Sequence, residues 1–151
     1  MGDKAKQELE KLQRQLAEWE EELRPDLQAR AKAAKKVLDD VKVLVRNTRS
    51  FNVEDLASDG SSCTIGFTGQ PVHVAGVRVV QGNVQIMHLN KSKWAPFTKL
   101  RYDVVTKEFV DGVDDVIVEV VRILREDAQQ IYKLEKARQD AQAKASTKSR
   151  A

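Results

Sequence analysis

Residues 72–89, VHVAGVRVV-QGN-VQIMHL, place two runs rich in β-branched residues on either side of Gln81-Gly82-Asn83. Glycine and asparagine accept the positive φ angles of a tight reversal, so the segment reads as a β-hairpin. Upstream, Cys63-Thr64-Ile65-Gly66-Phe67 forms another short run and ends at Thr68-Gly69-Gln70-Pro71, which has turn composition. Downstream, Lys99-Leu100-Arg101-Tyr102-Asp103-Val104-Val105 gives a further strand, continuing towards Phe109. Between them, Lys91–Phe97 reads as a loop with aromatic content. The spacing predicts a three- to five-stranded antiparallel sheet over residues 51–110.

Outside this region the apolar pattern becomes helical. Leu9, Leu12, Leu16, Trp19 and Leu23 recur in steps of three, four, three and four, the a/d repeat of a coiled coil, and Ala5 extends it towards the N-terminus. Such a helix has a narrow apolar seam that suits one partner helix. Pro25 lacks an amide donor and clashes with the preceding turn, so a kink is expected there. The stripe resumes at Leu27, Ala31, Ala34, Leu38, Val41 and Val45, after a step of four where three was due, which is a stutter. Val37, Val43 and Leu44 widen it, so the second half reads as a core helix. The segment 1–50 is therefore an N-terminal heptad helix.

The C-terminal segment, 111–145, starts with Asp111, Asp114 and Asp115, acids that suit the positive end of a helix dipole. Ile117, Val120, Val121, Leu124, Ala128, Ile131 and Leu134 follow at helical spacing. Val116–Leu124 is rich enough in β-branched residues to form a strand by itself, but the stripe runs into clearly helical sequence without a breaker. Residues 146–151 read as a disordered basic tail. The fold class is α+β: two long amphipathic, coiled-coil helices, N- and C-terminal and expected to run antiparallel, flank a central sheet. In layout alone this is similar to prefoldin-type chaperones, with coiled-coil helices joined through β-hairpins, and to small nucleoid-associated proteins.

Charge is laid down in blocks. Residues 1–24 carry five basic and seven acidic side chains, a net −2, whereas 26–50 carry seven and three, a net +4. Residues 111–132 hold two basic and six acidic groups, a net −4, and 133–151 hold six and two, a net +4. Antiparallel helices would set blocks of opposite sign side by side. Exposed pairs are worth about 0–1 kcal/mol each, so they act on orientation more than on stability.

The composition, 32% charged and 5% aromatic, fits long solvated helices. The single cysteine, Cys63, excludes an internal disulfide and favours a reducing, cytoplasmic setting. The opening MGDKAKQELEK has no apolar core of a signal peptide, and no run is long enough to cross a membrane.

Candidate chemistry is sparse. His73 and His88 are expected on one face of the hairpin, with Cys63 as a conceivable third ligand, but a structural zinc site wants four. No phosphate-binding glycine pattern and no nucleophile elbow is present. The chain is expected to be non-enzymatic, with no metal and no cofactor. Two basic stretches are candidate nucleic-acid contacts: Arg30, Lys32, Lys35, Lys36, Lys42, Arg46 and Arg49, then Lys133, Lys136, Arg138, Lys144, Lys148 and Arg150. Trp94 and Phe97, among Lys91, Lys93 and Lys99, form a candidate partner-contact loop. The leading expectation is a coiled-coil adaptor, scaffold or chaperone-like factor. It would form homo-oligomers through the seam Leu9, Leu12, Leu16, Trp19 and Leu23 and bind a further protein of unknown identity. A sequence-tolerant nucleic-acid binder is the alternative.

Overall fold

A computed structural model describes the backbone of residues 2–150 and the side chains of residues 2–146. Helix α1 spans Gly2–Arg46 and helix α2 spans Gly112–Arg150. Between them run β1 (Phe51–Asp55), β2 (Ser62–Phe67), β3 (Ala75–Val80), β4 (Asn83–His88) and β5 (Lys93–Pro96), with one 3₁₀ turn at Leu89–Lys91. These five strands form an antiparallel sheet in the order β1-β2-β3-β4-β5. A separate two-stranded hairpin, β6 (Arg101–Asp103) and β7 (Glu108–Val110), precedes α2.

The hairpin at the centre turns on Gln81 and Gly82, at φ 50° and 77°, the paired positive values of a tight two-residue reversal. Two expectations about the sheet are corrected. Lys93–Pro96 is a strand, not part of a loop; it occupies an edge, where Pro96 costs no central ladder bond. The run 99–105 is not one strand continuing to Phe109. The Asp103 carboxylate accepts from the amides of Val105 and Thr106, at 2.8 and 3.2 Å, and folds the chain back on itself.

Alternation along the strands separates two faces. Cys63, Ile65, Ala75, Val77, Val84 and Ile86 point inward and meet both helices. From α1 come Ala34, Val37, Leu38, Val41 and Val45; from α2 come Val116, Val120, Ile123 and Leu124. Burial at 116, 120, 123 and 124 has helical period, which places this β-branched run in a helix. Each such side chain contributes about 1.5–3 kcal/mol by leaving water. Gly112 allows the start of α2 to close on α1, since a Cβ there would lie 2.9 Å from Val37 and Phe109.

Only the inner part of each helix takes part. Every described side chain from Gly2 to Gln28 is exposed, and so is every one from Ala128 to Ser146. The helical run continues through Pro25 without a break. The carbonyl it deprives of a partner lies in a fully exposed stretch, where water can satisfy it. Each helix therefore has a core half and an arm.

Candidate interaction surfaces

The α1 arm carries the seam residues in water. Leu9, Leu12, Leu16, Trp19 and Leu23 are between 46% and 68% exposed, and Leu27 continues the row at 50%. Among the described residues no side chain of α2 covers this seam. The ion pair Arg138–Glu135 on the α2 arm lies within that helix and does not cross to α1. The two arms leave the body at opposite ends of the sheet. The α1 arm passes the β3–β4 turn, where Arg24, Leu27 and Ala31 line a shallow cleft with Gln81 and Asn83. The α2 arm passes the end of β2, where Ala128, Ile131 and Tyr132 border Phe67 and Thr68.

The first basic stretch is largely engaged with its own chain. Arg30 Nε donates to the Gly82 carbonyl at 3.1 Å and Nη2 to Asn83 Oδ1 at 3.1 Å. Its guanidinium also lies 5.7 Å from the ring centres of Tyr102 and Phe109. Lys42 is withdrawn into the body: its ammonium donates to the Gly60 carbonyl at 2.7 Å and pairs with Asp55 at 2.9 Å. Arg46 approaches the same carboxylate at 3.7 Å. Lys42 holds the Asp55 carboxyl below its ordinary value, chiefly by hydrogen bonding. Lys35 pairs with Asp39 and Lys36 with Glu108, each at 3.4 Å. Lys32 and Lys144 stand exposed. The α2 backbone runs on through Arg150, whereas the side chains beyond Ser146, those of Lys148 and Arg150 among them, lie outside the described residues.

Trp94 and Phe97 do not form one surface. The Phe97 amide donates to the Val84 carbonyl at 2.9 Å and its ring packs on the core. Trp94 lies on the opposite, helix-free face of the sheet. There the Arg78 guanidinium sits 4.4 Å above its ring centre, and Arg78 Nε donates to Gln85 Oε1 at 2.7 Å. A Cβ on Gly76 would come within 2.8 Å of the Trp94 ring, so glycine creates the seat for the indole. Gly66 plays the same part for His73, which shares a 2.6 Å hydrogen bond with Thr64 and lies 3.9 Å from Glu54. The charge and aromatic patterns do not reveal this polar and aromatic layer; two glycines inside strands are the sequence signal for it.

The histidines are separated by the sheet, which corrects the expectation of a shared face. His73 covers Gly66 on the outer side, whereas His88 pairs with Ala75 and points inward, beside Glu119 and Arg122. Among the described residues no group of three or more His, Cys, Asp or Glu side chains is arranged to hold a metal ion. Cys63 is fully buried, and burial pushes its thiol up to about 11, which makes it a packing group. Asp114 and Asp115 occupy the first turn of α2, and Asp111 lies 3.7 Å from Arg101 just before it. No described helix is long and apolar enough to cross a membrane. No protein-family model matches the chain, and no curated protein or solved structure matches it significantly.

Proposed function

We propose that this protein is a non-enzymatic, self-associating interaction module, an adaptor, scaffold or chaperone-like factor whose β-sheet body carries two helical arms. The observation that supports this is the α1 seam, six large apolar side chains at coiled-coil spacing with no cover from the described residues of the chain. An isolated helix is marginal in water even when its sequence favours the helix, and arms of this length gain most from packing an apolar face. A second helix supplied by another copy buries that seam. The edges of the sheet bear Glu54 and Asp55 on β1 and Lys93 and Pro96 on β5, residues that discourage strand-to-strand joining. Association is thereby left to the arms.

Replacing Leu12 and Leu16 together by aspartate tests the reading. The expected result is a fall in molar mass at unchanged sheet content. An unchanged mass removes the seam from the assembly and sinks the proposal. Nucleic-acid binding draws less support, because Arg30, Lys42 and Arg46 are held by groups of the same chain.

A further inference from the structure

We infer that the helix covering the α1 arm is the α2 arm of a second copy, packed parallel to it; this rests on the self-association reading and specifies its interface. The described side chains of both arms are exposed, and the arms match in two ways.

The first match is apolar. Ile131, Leu134 and Ala141 on α2 lie at the same intervals as Leu9, Leu12 and Trp19 on α1, offset throughout by 122 residues. At that offset Leu9 meets Ile131, Leu12 meets Leu134, and the large Trp19 meets the small Ala141. Leu16 meets Arg138, whose long stem can lie along apolar surface while its head, already paired with Glu135, stays in water.

The second match is charge, resolved within the arms. Residues 15–28 hold five acidic and one basic side chain, a net −4; of these, 15–24, a net −3, face 137–146 in this register, with two basic and one acidic, a net +1. Residues 2–14, a net +1, face 124–136, where three basic and three acidic side chains cancel. The half of the α1 arm next to its body attracts and the other is neutral. Folding the arms together within one chain would have to join opposite ends of the sheet. A parallel pair of α1 arms would align the two −4 segments. An antiparallel pair of them would leave Ile131, Tyr132 and Leu134 in water, where they are 45–71% exposed.

The test uses two full-length variants, Leu12→Asp/Leu16→Asp and Ile131→Asp/Leu134→Asp, measured by sedimentation alone and as an equimolar mixture. Circular dichroism establishes that the sheet is retained in each. Each variant alone should be monomeric, and the mixture should form a dimer, because one intact α1 arm then meets one intact α2 arm. An Ile131→Asp/Leu134→Asp variant that keeps the wild-type mass would show α1 pairing with α1; that overturns this inference and leaves self-association standing. A mixture that stays monomeric also overturns it. A monomeric wild-type chain overturns both readings.

Discussion

Leu38 and Leu16 lie on one helix, and the same truncation at each should have unequal consequences. Leu38 has no exposed surface and is enclosed by the core, whereas Leu16 is 53% exposed. Leu38→Ala removes buried methyl groups and leaves a cavity, a change that costs about 3–4 kcal/mol in a closely packed interior. For a chain of this size that lowers the melting midpoint by roughly 6–16 °C. Leu16→Ala in dilute solution should change unfolding by no more than about 0.5 kcal/mol, since the side chain touches little within its own chain. In concentrated solution, where association adds to the stability of the folded state, Leu16→Ala should lower the midpoint, because it weakens the assembly. The assay is thermal unfolding followed by Trp94 fluorescence in a Trp19→Phe background, at low and high protein concentration. Equal losses for the two variants in dilute solution would refute the division of α1 into a core half and an arm.

Three further outcomes follow from the body. Gly76→Ala should displace the indole of Trp94 and cost about 1–3 kcal/mol by overpacking, read as a fluorescence change with a lowered urea midpoint; an unaltered emission spectrum would contradict the seating of Trp94. Cys63 should resist alkylation in the native state at neutral pH and react on unfolding. Its thiol is raised from 9.0 to about 11, so stability should be intact below pH 9 and decline up to about pH 11, as the unfolded chain ionises first. Cys63→Ala should flatten that decline, and an unchanged alkaline profile would count against it. Fluorescence anisotropy with random duplex DNA and single-stranded RNA should show at most weak binding at near-physiological salt; micromolar binding falling steeply with salt would revive the basic stretches as a nucleic-acid surface.

The central hairpin is legible in the sequence because its turn residues and its alternation point to one answer. The same holds for the core half of α1, where Ala34, Leu38, Val41 and Val45 keep helical spacing. β1 is harder to see, since only Phe51 and Val53 face the core and its other residues are polar. β5 is masked by Pro96, which reads as a breaker until the strand is known to lie at an edge. Val104 and Val105 carry strand propensity but sit in a turn, 76% and 86% exposed, because Asp103 captures the following amides. In that case local side-chain hydrogen bonding overrides propensity.

The candidate surfaces divide the same way. The seam from Leu9 to Leu23 is written in its spacing, and the spacing alone calls for a partner helix. Whether that helix comes from the same chain depends on where the arms leave the body, which no local pattern encodes. Block-averaged charge points to pairing within the chain, since acidic 1–24 and basic 133–151 would then lie side by side, but charge alone does not place the arms. Lys42 looks like any other member of a basic run, and only the tertiary fold brings Asp55 and the Gly60 carbonyl around it. Arg78 and Gln85 give no sequence signal of a pair until the register sets them opposite each other.

The most direct measurement is the molar mass of the unmodified chain by sedimentation equilibrium over a wide concentration range. Self-association through the arms predicts a mass that rises above the 17.0 kDa of one chain as concentration increases. A mass of 17.0 kDa at every concentration would contradict it.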